Sequence, residues 1–202
     1  MFKKILKFTF FVFIGLAILG SIFGVDEDTK TESDTSQKTT AEAPAEEPKV
    51  AEPLLSSGMY KVGSDIPAGE YMLICDGMAG YYEIDKDSTG SFQSILGNDN
   101  FFSNRYVRVT DGEYLKLQGC KLYALDNLPQ IDEKEMYKVG VDVSPGEYKI
   151  IANGNGYYEV SSAPRVGLKN IISNGNFQGE SYITLRDGQY IKFVNANFKL
   201  DN

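Results

Sequence analysis

Residues 59–71 read MYKVGSDIPAGEY, and residues 136–148 read MYKVGVDVSPGEY. The correspondence runs on through the chain. GYYEI at 80–84 returns as GYYEV at 156–160, ILGNDNF at 95–101 as IISNGNF at 171–177, and YVRVTDGEYLKL at 106–117 as YITLRDGQYIKF at 182–193. One residue near Met78-Ala79 has no counterpart in the second copy. A tandem duplication of a unit of roughly 65 residues restricts the chain to one small fold built twice. The repeats occupy residues 58–125 and 136–202, and residues 126–135 join them.

Each unit reads as β. Short runs dense in tyrosine and β-branched residues cover 71–74, 81–84, 106–109 and 114–117, as strands require. Turn chemistry separates them. Pro67-Ala68-Gly69 and Ser144-Pro145-Gly146 supply a preset and a permissive φ. Asp111-Gly112 and Asp187-Gly188 each stand between two strand-like runs, which predicts hairpin tips. After residue 57 no stretch sustains a helical period. The expected architecture is all-β: two tandem antiparallel sandwich or barrel units of about six short strands each.

What precedes the repeats differs in kind. Residues 8–25 carry no charge, and as a helix they would rise about 27 Å, close to the roughly 30 Å hydrocarbon core of a bilayer. Lys3, Lys4 and Lys7 precede the stretch and Asp26-Glu27-Asp28 follow it, an order that keeps the N-terminus cytoplasmic. No A-x-A-like cleavage site follows, so residues 1–25 read as a transmembrane signal-anchor, with a cleaved signal peptide and a secreted product as the alternative. Residues 26–57 hold nine acids, three lysines and no aromatic residue. Such a segment reads as a disordered acidic linker.

Composition removes several functions. The 202 residues contain no histidine, which leaves no Ser-His-Asp or Cys-His engine and no imidazole metal site. A net charge of -8 disfavours nucleic-acid binding, which needs clustered lysine and arginine. Asp85-Lys86-Asp87 begins like a calcium loop, but Leu96 stands where the loop needs a bidentate glutamate. No enzyme, cofactor or metal site is expected.

Two features remain as site candidates. The pairs Tyr81-Tyr82 and Tyr157-Tyr158 recur, each followed by an acid, Glu83 and Glu159. Neighbours on a strand point to opposite faces, so one ring of each pair is expected to face outward and offer a stacking surface beside the carboxylate. The cysteines behave oppositely: Cys75 and Cys120 are answered by Ala152 and Ala196. A joint change to a small residue points to cysteines in contact, and the outer face of a membrane permits a disulfide. Two free buried thiols are the alternative.

The string Y-K-V-G-x-D-I-x-x-G-E-Y, followed by G-Y-Y and D-G-x-Y, resembles repeats in uncharacterised surface or secreted proteins of Gram-positive bacteria. The resemblance covers residues 59–125 and 136–200. It implies the same order of parts: a membrane segment, a polar linker, then β units. Some relatives carry a cysteine pair at places like Cys75 and Cys120, which supports a bridge, although the second copy departs from that. No activity travels with the resemblance. The expected function is a non-catalytic, membrane-tethered binding or adhesion module at the outer face of a Gram-positive cell, anchored through residues 8–25 and engaging an envelope glycan or protein. The alternative is an envelope accessory or phage-exclusion protein that acts on other membrane proteins.

Overall fold

A computed structural model describes residues 51–199. The expected membrane segment and most of the linker lie outside the described residues. Among the described residues no helix is long and apolar enough to cross a membrane. The chain is all-β, with eleven strands and two single-turn 3-10 segments among those residues.

The first repeat contributes seven strands: β1 (Gly58–Lys61), β2 (Gly69–Cys75), β3 (Gly80–Asp85), β4 (Ile95–Phe101), β5 (Asn104–Val109), β6 (Tyr114–Gln118) and β7 (Cys120–Tyr123). They form two antiparallel sheets, ordered β1-β6-β3-β4 and β5-β2-β7. Alternation along the strands sends one face of each sheet into a shared core. Tyr82, Ile84, Leu115 and Leu117 from the first sheet meet Tyr71, Leu73, Val107, Val109 and Leu122 from the second.

The second repeat contributes four strands, β8 (Met136–Lys138), β9 (Gly146–Ser161), β10 (Ile171–Leu185) and β11 (Tyr190–Phe198), in one antiparallel sheet ordered β10-β9-β11-β8. Its core is Val139, Ile150, Val160, Ile183, Leu185, Ile191 and Phe193. The strand count differs because the second repeat bends where the first breaks. β10 and β11 pass their corners through register shifts at Gln178/Glu180 and Val194/Ala196. At the second of these Asn195 takes φ 49°, and its counterpart between β6 and β7 is Gly119 at φ 60°. Both copies therefore need a left-handed residue at this corner, a conformation glycine and asparagine tolerate best.

Two expectations are corrected. The Asp-Gly turns are corners rather than hairpin tips, since β5 pairs with β2 while β6 pairs with β1 and β3, and β10 and β11 both pair with β9. Each turn is instead held by the early loop of its repeat: Gly112 N–H donates to Val62 O and Gly188 N–H to Val139 O, both over 3.1 Å. The local signal marks the turns, but the topology chooses other strand partners. The polar linker, expected to run to residue 57, gives way to structure earlier. Leu54 N–H and Leu55 N–H donate to Leu122 O, and Leu55 packs against the first core. These residues cover the otherwise open edge of β7, where unpaired backbone groups would invite another strand.

The repeats share a third core. Met72, Tyr106 and Tyr123 from the first pack with Met136 and Tyr190 from the second, flanked by Leu125 at the end of the first repeat and by Leu128 and Ile131 of the joining segment. Polar groups close its rim. Glu70 Oε1 accepts from Tyr190 OH at 2.7 Å and from Lys138 Nζ at 2.8 Å. Burial works to raise the Glu70 carboxyl, but Lys138, Tyr190 and Arg108 outweigh it and hold the pKa below the usual range. Arg105, 2% exposed, reaches Asp99 through Nε and Glu135 through Nη1, each at 3.0 Å. Lys192 of the second repeat also approaches Asp99, at 3.4 Å. Across the rim, Arg165 pairs with Glu113, and Arg108 N–H donates to Pro164 O.

A buried guanidinium stripped of partners costs far more than a surface pair. Replacing it leaves Glu135 without its counter-charge and Asp99 with Lys192 alone. We expect Arg105→Met to destabilise the chain by about 3–5 kcal/mol and Arg105→Lys, which keeps the charge but loses the fork, by less. Urea denaturation of the three proteins checks this.

Candidate functional site

The structure decides which tyrosine of each pair faces the core. Tyr82 is buried among the first core residues, and burial drives its hydroxyl pKa upward. Tyr158 packs beside the second core against Phe177. Tyr81 and Tyr157 point to the opposite faces and are half-buried.

Both outward tyrosines are tied to the acid two residues on, because residues i and i+2 share a strand face. Tyr81 OH donates to Glu83 Oε2, and Tyr157 OH donates to Glu159 Oε2 at 2.8 Å. Burial, then the adjacent carboxylate, pushes each phenol up to about 12. A lysine on the neighbouring strand completes each set. Lys116 stands 3.4 Å from Glu83, and Lys192 stands 3.5 Å from Glu159. Burial would raise the Glu83 carboxyl, but Tyr81 and Lys116 outweigh it and lower it.

The two sets differ in what covers them. Lys192 of the second set also reaches Asp99 of the first repeat, so Tyr157 and Glu159 stand beside the junction. Tyr81 and Glu83 lie on the face of β3 opposite Tyr82 and Ile84, with Tyr81 half-buried and Glu83 buried.

Beside Glu83 sits Asp85, 0% exposed, and neither of its oxygens accepts a hydrogen bond. Burial, then the Glu83 charge, raises its pKa. The second repeat has Ser161 at this position. An acid raised in the folded state binds more protons folded than unfolded, so its ionisation costs stability as pH climbs past the unfolded value of about 3.9. We expect Asp85→Asn to be more stable than the parent at pH 8 by on the order of 1 kcal/mol. The gap should close as pH falls toward 4, read by urea denaturation across that range.

The expected disulfide between Cys75 and Cys120 is absent. The two residues face each other across β2 and β7, as their joint replacement by alanine suggests, but both thiols are free. Their sulfurs are engaged elsewhere. Cys75 Sγ donates to Gly77 O at 3.4 Å and Cys120 Sγ to Tyr81 O at 3.5 Å. Burial raises both thiols, Cys120 to about 11, which suppresses the thiolate that exchange chemistry needs.

Sequence reasoning missed a recess, a groove of about 660 Å³ between the joining segment and the far end of the second sheet. Phe102, 66% exposed, and Ile151 supply apolar surface. Asn153, Asn195 and Asn197 supply amides, and Glu133 and Lys134 line another wall. The Phe102 side is held rigidly: Phe102 N–H and Ser103 N–H both donate to Glu135 Oε2, at 2.8 and 3.1 Å, and Ser103 OH donates to Glu133 O. Internal comparison holds a signal, since Phe102 is apolar where the second repeat has Gln178. Among the described residues no group of three metal-ligating side chains comes together.

No family model, curated protein or solved structure matches the chain.

Proposed function

We propose that the chain is a non-catalytic binding module, tethered by residues 8–25 with its repeats outside the membrane, and that it engages a cell-envelope glycan or polypeptide. The groove beside Phe102 carries this reading. An exposed aromatic ring, an aliphatic side chain and several amides around a recess suit a ligand with one apolar face and several hydroxyl or amide groups. The fixed backbone around Ser103 reduces the ordering cost of binding.

The test is a binding screen of the full-length chain in detergent micelles against cell-wall fractions and membrane extracts, followed by groove variants. Asn195→Gly removes the amide yet keeps the left-handed corner, as Gly119 does in the first repeat. Phe102→Ser removes the ring at an exposed position. Each should weaken binding roughly tenfold, with stability unchanged to within about 1 kcal/mol. Binding that survives both changes would place the ligand elsewhere.

A further inference from the structure

The groups that join the first repeat to the second recur on the faces of the two repeats that the junction does not use. At the junction Glu70 accepts from Tyr190 OH and Lys138 Nζ. The Tyr106 ring meets the Tyr190 ring edge-on at 5.5 Å. Tyr106 OH donates to Asp142 Oδ2 at 2.7 Å. Two surfaces are involved. The first repeat offers Glu70 and Tyr106, and the second offers Lys138, Asp142 and Tyr190.

The duplication places the same residues on the faces the junction does not use. Glu147 and Tyr182 of the second repeat correspond to Glu70 and Tyr106. Lys61, Asp65 and Tyr114 of the first repeat correspond to Lys138, Asp142 and Tyr190.

The receiving face is already built. Lys61 Nζ lies 5.9 Å from the Tyr114 ring centre, as Lys138 Nζ lies 5.4 Å from that of Tyr190. Asp65 accepts from Lys61 N–H at 2.7 Å, as Asp142 accepts from Lys138 N–H at 2.8 Å. The opposite face is uncovered: Tyr106 is 3% exposed at the junction, whereas its counterpart Tyr182 is 61% exposed. Among the described residues Glu147 has no ion pair, and neither Lys61 Nζ nor Tyr114 OH has a hydrogen-bond partner.

We propose that these faces bind each other between chains. Glu147 and Tyr182 of one copy seat on Lys61, Asp65 and Tyr114 of the next, repeating the contact that joins the two repeats within a chain. The two faces differ, so the association is head-to-tail and extends into a row or closes into a ring. It is weaker than the internal junction for a visible reason. Met72, Tyr123 and Arg105 of the junction are answered by Lys149, Lys199 and Ser181. The copy-to-copy contact therefore keeps the polar and aromatic contacts but lacks the buried apolar centre and the guanidinium fork. Chains concentrated on one membrane would favour it by raising effective concentration.

The test replaces Tyr114 with a photo-crosslinking phenylalanine in the full-length chain in detergent micelles, with nitrogen-15-labelled and unlabelled chains mixed. Adducts joining position 114 of one isotopic form to residues 147–185 of the other are expected. Lys61→Glu and Glu147→Lys should each reduce that adduct roughly tenfold, because like charges then meet. Mixing the two variants should restore it, since the reversed charge at position 61 of one chain then faces the reversed charge at position 147 of the other, and the pair is again opposite in sign. Positions 61 and 147 are exposed and position 114 is half-buried, and circular dichroism verifies that the variants fold. Adducts joining position 114 to position 114, adducts elsewhere on the second copy, no intermolecular adduct, or charge reversal without effect would each overturn the proposal.

Discussion

The junction between the repeats rests on partnered charge, with Arg105 taken out of water and Glu70 largely so. Glu70 meets Lys138, Tyr190 and Arg108, and Arg105 meets Asp99 and Glu135. Such groups are tolerated in a buried rim only when each finds its counterpart. They surround the apolar centre of Met72, Tyr106, Tyr123, Met136 and Tyr190, which neither repeat could cover alone. The joining segment contributes Leu128 and Ile131 to the same centre and Glu135 to the arginine. It is thus a structural part of the contact as well as a connection.

The copies have diverged where their surroundings differ. The face of β2, β5 and β7 turned to the junction holds an apolar centre in the first repeat, Met72, Tyr106 and Tyr123, which the second repeat covers. The matching face of the second repeat carries Lys149, Glu180 and Lys199, and Glu180 pairs with both lysines. That Glu147 and Tyr182 persist on this face, among so many changes, sets them apart.

The repeat, the β class and the positions of the turns are legible in the residues, because periodicity and turn chemistry are local. The strand partners are not. Asp111-Gly112 reports a reversal of the chain, while the choice of β2 for β5 and of β1 and β3 for β6 follows from packing two sheets on one core. The cysteines are half legible: their joint loss marks a contact, but contact does not decide oxidation, and each sulfur settles on a carbonyl instead. The tyrosine pairs were certain to split between faces, yet a two-residue period carries no sign, and only the core shows that Tyr82 and Tyr158 turn inward. Arg105 and Phe102 escape a reading that follows what recurs. Both are residues that do not recur, answered by Ser181 and Gln178, and such departures mark the places where two copies of one unit meet different neighbours.

The central claim is that the repeats form one energetically coupled body through Glu70 and its partners across the junction. A double-mutant cycle with Glu70→Ala and Tyr190→Phe, measured by urea denaturation of the full-length chain in detergent micelles, tests it directly. The two residues lie in different repeats, 120 positions apart, so independently folded units would give additive effects. The account predicts a coupling energy of about 1 kcal/mol or more. Additivity to within about 0.3 kcal/mol would contradict it.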